Sequence, residues 1–297
     1  MTVLLALVTV AALGTWIPLA QLLPGTPERT GVFYVAVGNV VFAGIALLVS
    51  GAGLVFSWRG FWLPLVGGMV WTAGNYCVYR AVATIGLARA AGTWTPLNIV
   101  VAFAWGALLF GELDGFSAVR FALLGVAFLA VVAGVLLIAG SRAGPSGQPG
   151  ASSPRPAAAG LLWAGGAGIL WGSYFVPAQW AKVPAQVSDF PLAVGILAAA
   201  LALALPAGEP VKLGVRATSA QLGAGVLFGI GNLALLGLVA RVGTGTGFTI
   251  AQLSLLVNAS IGVWVFHVPE PGTRQARKVL AGIVLAGIGG CVIATMR

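Results

Sequence analysis

Long apolar runs recur along the chain, each about as long as a helix that crosses a membrane. Crossing a hydrocarbon core of ~30 Å takes about 20 mostly apolar residues in a helix. The runs are solidly apolar and lack the alternation of a β-barrel strand, so they favour helices. We therefore predict ten membrane-spanning helices, at about 3–20, 31–55, 61–83, 90–110, 118–139, 159–178, 190–206, 220–240, 246–266 and 279–295.

Two pairs of runs follow each other almost without a break. The run at 91–110 continues from its predecessor, and so does the run at 243–266. Without a turn, each pair would form one implausibly long helix. We therefore predict turns at Ile85-Gly86 and Val242-Gly243.

A stretch rich in proline, glycine and serine separates five runs from the other five, and it is typical of a flexible connector. The predicted domains are a first five-helix repeat (1–140), the connector (141–158) and a second five-helix repeat (159–297). Four features recur in the same order at an offset of 157 or 158 residues. They are Gly14-Thr15-Trp16 with Gly172-Ser173-Tyr174, Gly74-Asn75 with Gly231-Asn232, Ile85-Gly86 with Val242-Gly243, and Glu112 with Glu270.

An odd number of spans in each repeat has a mechanical consequence. A five-span unit ends on the side of the membrane opposite to its start, so its copy must be inverted. Inverted repeats allow two related states, each open to one side, which is the basis of alternating access in carriers. The predicted fold class is an all-α integral membrane protein with ten transmembrane helices as two inverted five-helix repeats.

Composition and charge agree with a multi-pass protein of the cell membrane. Of 297 residues, 59% are hydrophobic and 7% are charged, whereas soluble domains carry about 25% charged residues. The net charge of +9 is spread between apolar runs and forms no basic face, so we predict no nucleic-acid partner. One His and two Cys cannot build a Cys/His zinc site or a disulfide framework. We predict neither a metal nor a cofactor.

Three motifs resemble those of the glucose/ribose uptake porters, a branch of the drug/metabolite transporter superfamily (EamA-like proteins). They are Gly67-Gly68-Met69-Val70-Trp71-Thr72-Ala73-Gly74-Asn75, Trp171-Gly172-Ser173-Tyr174-Phe175-Val176-Pro177, and the segment from Val242 to Leu253 followed by Glu270. The resemblance implies that superfamily's fold and secondary carriage of sugars, with coupling to protons left open. The chain departs from the pattern at His267-Val268-Pro269-Glu270 and at Thr93 to Asn98, and both departures bear on the substrate.

The orientation in the membrane has two conflicting indications. The side opposite the termini receives nine basic residues and the side of the termini receives five. The positive-inside rule therefore weakly favours termini outside the cell. The resemblance implies both termini in the cytoplasm.

The spans contain few side chains that could recognise a neutral polyol, which needs hydrogen-bonding groups and aromatic faces. Trp71, Asn75 and Tyr79 recur every four residues and share one helix face. The predicted substrate-binding residues are Trp16, Trp71, Asn75, Tyr79, Trp94, Thr95, Asn98, Tyr174, Asn232, Thr249 and Gln252. Buried amides also join transmembrane helices, and aromatic residues near span ends also form interfacial belts, so these roles stay open.

All six acidic residues fall in loops or at span ends, with none in the middle of a run. Carriers of organic cations generally need a carboxylate within the membrane, so export of cationic drugs is disfavoured. Glu112 and Glu270 end the fourth and ninth runs and are the candidates for proton coupling, with solvated helix-end charges as the alternative. Arg80 lies inside the third run, where it could bind an anion or extend to the lipid headgroups.

These observations favour a secondary-active or facilitative carrier of a neutral sugar or polyol. The alternative is a carrier of anionic or other small metabolites, such as a sugar phosphate or an amino acid, using Arg80. An enzyme is disfavoured because the chain lacks the His-Glu-x-x-His and Gly-x-Ser-x-Gly motifs and an acidic pair within a span. The expected partners are a small-molecule substrate and the lipid bilayer, with a homodimer left open.

Overall fold

The computed structural model describes residues 1–21, 26–85, 87–115, 117–140, 154–205, 212–265 and 270–295, and these residues form helices and turns without a strand. A short π-helical turn, Trp58–Trp62, precedes α3. The helices are α1 Thr2–Gln21, α2 Glu28–Ser50, α3 Leu63–Ile85, α4 Leu87–Leu109, α5 Ala118–Gly140, α6 Pro154–Trp171, α7 Val176–Trp180, α8 Ala185–Ala204, α9 Val215–Val242, α10 Thr244–Gln252, α11 Ser254–Trp264 and α12 Arg274–Thr295.

Helices coincide with the predicted apolar runs, as expected for long apolar sequences. Among the described residues, six helical stretches are long and apolar enough to cross a membrane. They are Thr2–Ala20, Arg29–Ser50, Ala158–Trp180, Ala185–Ala204, Val215–Val242 and Thr244–Trp264. The chain is therefore all-helical and multi-pass.

The helix junctions agree with the sequence in one place and add breaks in two others. α9 ends at Val242 and α10 begins at Thr244 because Gly243 adopts a φ of 86°, which an L side chain rarely tolerates. This confirms the predicted turn at Val242-Gly243. α3 ends at Ile85, and Gly86 itself lies outside the described residues. Turns at 172–175 and at Leu253 divide two runs that we expected to be continuous.

The predicted connector overlaps the beginning of α6. This helix begins at Pro154, a favourable first position because proline has no N–H to leave unpaired. The last five residues of the predicted connector, 154–158, are therefore helical. Residues 141–153 lie outside the described part of the chain.

The chain divides into two compact units, and each unit takes residues from both halves of the sequence. Unit 1 comprises 1–73 and 173–241, and unit 2 comprises 74–172 and 242–297. Since α3 continues from one unit into the other at Ala73-Gly74, Trp71 belongs to unit 1 and Asn75 to unit 2.

Glycines bring the helices of unit 1 into backbone contact. A Cβ atom added to any of four glycines would overlap a main-chain carbonyl oxygen of a neighbouring helix. The overlaps are Gly38 with Leu222, Gly225 with Val35, Gly68 with Leu192, and Gly195 with Leu65. Small residues at such crossings are the usual way in which membrane helices pack closely.

Unit 2 uses the same device where α5 packs against α12. A Cβ added to Gly134 would lie 2.6 Å from the Gly282 carbonyl oxygen, and one added to Gly289 would lie 2.6 Å from that of Ala127. In the same unit, α4 packs against α6 and α10. These contacts determine where the polar side chains of each unit meet.

Candidate functional site

Three aromatic side chains of unit 1 form a buried cluster. The ring centroids of Trp16 and Trp71 are 6.2 Å apart, those of Trp16 and Phe228 are 5.4 Å apart, and those of Trp71 and Phe228 are 4.6 Å apart. The rings come from α1, α3 and α9, and each is less than one-tenth exposed. Aromatic pairs at these separations and tilted angles are favourable.

A chain of hydrogen bonds joins three buried polar side chains of the same unit. The Tyr174 hydroxyl donates to Asn232 Oδ1 at 2.9 Å, and Asn232 Nδ2 donates to Asp189 Oδ1 at 2.7 Å. Asn232 has no exposed surface, and Asp189 is 1% exposed. Buried polar groups are normally paired in this way because an unpaired group is costly.

The aromatic cluster and the polar chain are held on shared elements. Phe228 and Asn232 are one turn apart on α9, and residues at that spacing share a helix face. Tyr174 lies in the turn between α6 and α7, and its carbonyl oxygen packs directly against Gly67, one turn before Trp71 on α3. Gly67 permits this approach because a Cβ there would overlap that oxygen.

The two groups together carry the chemistry that recognises a polyol. Flat aromatic rings suit the C–H faces of a sugar, while a phenol, an amide and a carboxyl supply donors and acceptors for its hydroxyls. Three of these side chains can accept hydrogen bonds, and none is a cation. We call Trp16, Trp71, Tyr174, Asp189, Phe228 and Asn232 the unit 1 cluster.

Sequence reasoning found four members of the unit 1 cluster and missed two. Phe228 was missed because an isolated Phe in an apolar run carries no signal, although its spacing from Asn232 matches a helix turn. Asp189 was missed because we placed it before the apolar run at 190–206. Pro184 was the available signal, since a helix often begins just after a proline, and α8 does begin at Ala185.

We expected all six acids in loops or at span ends, and Asp189 lies near the start of a span but is buried there. This residue is the fifth of α8, within a stretch long and apolar enough to cross a membrane. Its side chain and that of Ser188 point toward the interior and are buried. A count of apolar residues leaves such polar residues in the first part of a helix outside the predicted span.

The remaining predicted binding residues belong to unit 2. Five of them, in α3, α4 and α10, are buried: Asn75, Trp94, Thr95, Asn98 and Thr249. Gln252, at the end of α10, is partly buried, and the side chain of Tyr79 lies outside the described residues.

Two of these unit 2 residues have contacts that indicate packing. The Thr249 hydroxyl donates to the Gly245 carbonyl of its own helix at 2.7 Å. The Trp94 ring lies edge-on to that of Trp171, with centroids 6.1 Å apart. In contrast, Asn98 Oδ1 is buried and has no hydrogen-bond partner among the described residues.

The charged candidates of unit 2 lie in three different settings. Glu112 accepts hydrogen bonds from the backbone N–H of Thr244 and, at 2.9 Å, from that of Gly245. It thereby binds the positive N-terminal end of the α10 dipole. Glu270 is exposed. Arg80 is also exposed, and its guanidinium carbon lies 5.8 Å from the centre of the Trp163 ring, a cation–π distance.

A family of proteins described as "Sugar transport protein" matches residues 4–296. A Listeria innocua protein named for sugar uptake is 24% identical over 99% of this chain and 98% of its own length. A Lactiplantibacillus plantarum protein named for ribose uptake is 22% identical over 88% of this chain and 87% of its own. A Staphylococcus epidermidis protein named for glucose uptake is 23% identical over 87% of this chain and 86% of its own.

The fold is also shared with a solved protein structure. That crystal structure superposes with a TM-score of 0.70 at 21% sequence identity, covering 99% of this chain and 96% of the other. At this level of identity the similarity concerns the fold alone.

Proposed function

The chain belongs to the sugar transport protein family, and on that premise we propose that it carries a neutral sugar across the cell membrane by alternating access. It is a transport protein and not an enzyme, and it is a multi-pass protein of the cell membrane. The proposed features are the neutral sugar substrate, the alternating-access mechanism and the residues that bind the sugar.

The unit 1 cluster is the observation that carries the substrate class. Its aromatic rings and its Tyr174–Asn232–Asp189 chain offer stacking faces and hydrogen-bonding groups side by side. A sugar phosphate would require a cation, and the described members of this cluster include none. The names of the relatives, which specify glucose and ribose, support a monosaccharide of five or six carbons.

Ten spans in two inverted five-helix repeats give this site two states. The helix contacts of unit 1 support the repeat because they exchange under an offset of 157 residues. Gly38 corresponds to Gly195 and Leu65 to Leu222, so the contact of Gly38 with Leu222 becomes the contact of Gly195 with Leu65. Such an exchange is the property of a two-fold relation.

The other contacts support the same relation. At the offset of 157, the contact of Gly68 with Leu192 becomes that of Gly225 with Val35. In unit 2 the offset is 155, and the contact of Gly134 with Gly282 becomes that of Gly289 with Ala127. Halves related in this way can exchange conformations, which opens a shared site first to one side and then to the other.

Uptake of radiolabelled D-glucose and D-ribose into proteoliposomes tests the proposal. Trp71→Ala removes one of the three packed rings, the one nearest to Phe228, and we expect uptake to fall at least 10-fold. The matched control is Trp62→Ala, which removes an exposed indole from the same unit and should change uptake less than 2-fold. Wild-type vesicles that take up neither sugar faster than protein-free vesicles would refute the proposal.

Arg80 provides the test of the alternative substrate class. A carrier of anionic metabolites would need this guanidinium at its site, whereas here it is exposed beside Trp163. We expect Arg80→Gln to leave sugar uptake within 2-fold of wild type. Loss of uptake in this variant, at normal protein yield, would favour the anionic substrate.

A further inference from the structure

Asp189 has one oxygen atom engaged and one that is not. Oδ1 accepts the hydrogen bond from Asn232, while Oδ2 is buried and has no hydrogen-bond partner among the described residues. A buried carboxyl oxygen without a donor is unusual because its desolvation is not compensated. The vacant oxygen can be satisfied by a proton on the carboxyl group or by a hydroxyl of a ligand.

The charged groups around α8 do not neutralise this carboxyl group, and no described residue forms an ion pair with it. Arg29 on α2 donates to the Leu203 carbonyl near the other end of α8. The basic side chains of Arg59, Lys182, Arg216 and Arg241 are exposed. The remaining titratable residues on elements packed against α8 are Glu28 and Tyr34 on α2 and, in the unit 2 part of α3, Tyr76, Cys77, Tyr79 and Arg80. Tyr174 is linked to Asp189 through Asn232.

Because Asp189 is buried and no described cation pairs with it, its protonation should depend on whether its site is closed or open to water. Where Asp189 is buried, as it is here, the ionised carboxylate would be an uncompensated charge in a non-polar interior, which favours binding a proton. When the site opens, water can solvate the carboxylate and the proton can leave. Opening and closing of the site would therefore move a proton together with any molecule bound beside it.

We infer that Asp189 is the proton-binding residue of the carrier, and that its carboxyl group binds one proton and one sugar hydroxyl in the same cycle. The inference rests on the proposed sugar transport. On the outer side, a proton from water adds to the carboxylate at Oδ2. The carboxylic acid then donates from Oδ2 to a sugar hydroxyl while Oδ1 keeps its bond from Asn232, and on the inner side the proton returns to water.

The sequence repeat places this acid in one half only. At the offset of 157 that relates α2 to α8, the counterpart of Asp189 is Val32, which is buried and apolar. Because only one of the two related positions carries an acid, this pair of positions supplies one proton-binding group for each chain. We therefore expect one proton to accompany each sugar.

The test follows labelled D-glucose or D-ribose, whichever the wild type transports, in proteoliposomes that also contain a pH-sensitive dye. In wild type, adding sugar outside should acidify the lumen, and an inwardly directed proton gradient should raise sugar accumulation at least 5-fold. Asp189→Asn preserves the shape and the bond from Asn232 but cannot bind the proton. It should lose both proton signals, whereas sugar counterflow, which needs no net proton movement, should fall far less than gradient-driven accumulation because the amide can still donate to a sugar hydroxyl.

The controls are Glu112→Gln and Glu270→Gln, which remove the two acids that the sequence suggested for coupling and should keep both proton signals. Gradient-driven accumulation retained in Asp189→Asn, or lost in either control with counterflow intact, would overturn the assignment. Wild-type vesicles with sugar flux but no proton signal would overturn it while leaving sugar transport intact. Vesicles without sugar flux would refute the proposed function itself.

Asp189→Glu keeps the inference testable if Asp189→Asn does not fold. A glutamate retains a titratable carboxyl group but displaces it by one methylene. We expect proton-driven accumulation to persist, with its pH profile shifted from that of wild type. A profile identical to wild type would contradict a proton on this side chain, because the altered position must change its environment.

Discussion

Two carboxyl groups, one in each compact unit, have opposite environments. Asp189 in unit 1 is 1% exposed and bonds to the side chain of Asn232, and its other oxygen has no partner in the described part of the chain. Glu112 in unit 2 is less buried, and both of its oxygens accept backbone N–H groups at the beginning of α10. Both acids are near the end of an apolar run, yet only one is free to change partners.

Glu112 therefore stabilises the beginning of a helix, whereas Asp189 has an oxygen that can bind a ligand. A carboxylate that caps a helix has its oxygens engaged by backbone N–H groups and interacts favourably with the helix dipole. A buried carboxyl group with a vacant oxygen gains a partner when a ligand or a proton arrives. The contrast predicts that Asp189 and its neighbours control transport and that Glu112 controls stability.

Removing Asn232 should give the largest effect. Asn232→Ala leaves the Tyr174 hydroxyl and the Asp189 carboxyl without their shared partner, and each unsatisfied buried group costs about 1–3 kcal/mol. We expect sugar uptake to be lost and the melting temperature of the purified protein to fall. Gln221→Ala on the same helix removes a single bond to the Ala20 carbonyl, and it should keep uptake. Equal transport by the two variants would contradict the special role of Asn232.

Substitution of the paired glycines tests the two-fold repeat, which relates the contact of Gly38 to the contact of Gly195. Gly38→Ala and Gly195→Ala each place a Cβ against a carbonyl oxygen of a neighbouring helix, and overpacking of this kind costs about 1–3 kcal/mol. We expect similar losses of thermal stability in the two variants. Gly125→Ala is the matched control, since a Cβ there meets open space on α5, and alanine should stabilise a helix relative to glycine. A large inequality between Gly38→Ala and Gly195→Ala would argue against the repeat.

Neutralising Glu112 should give the smallest effect. Glu112→Gln keeps one acceptor oxygen for the N–H groups of α10 but loses the second acceptor and the charge. Loss of one hydrogen bond costs about 0.5–1.5 kcal/mol, and loss of the charge at the helix N-terminus costs about 0.3–1 kcal/mol. We expect a slightly lower melting temperature and at least half of the wild-type uptake, measured on the same preparations. If Glu112→Gln were fully stable but unable to transport, Glu112 would have a role in transport, and the proposed difference from Asp189 would be wrong.

The sequence predicted the features that are encoded in long apolar runs and in their interruptions. Apolar runs predicted the positions of the helices, and Gly243 was identified as a turn because a glycine interrupted two continuous runs. Trp16, Trp71, Tyr174 and Asn232 were identified because polar and aromatic side chains are rare in apolar segments. All four are buried in one unit.

Other features depend on tertiary contacts that no local pattern records. The turn at 172–175 places Tyr174 against Gly67, a contact between residues more than 100 positions apart. Asp189 was placed in a loop or at a span end because polarity alone cannot distinguish a solvated acid from one that a helix turns inward. The division into compact units was also unpredictable, since α3 contributes Trp71 to one unit and Asn75 to the other.

The most direct measurement of the central claim is to locate a bound sugar on the chain. A diazirine derivative of D-glucose, photolysed with the protein in proteoliposomes and analysed by peptide mass spectrometry, labels the residues that it touches. We expect labelling of peptides that contain Trp16, Trp71, Asp189 and Phe228, and competition by unlabelled D-glucose. Competed labelling confined to α4 and α10, around Trp94, Thr249 and Gln252, would contradict it.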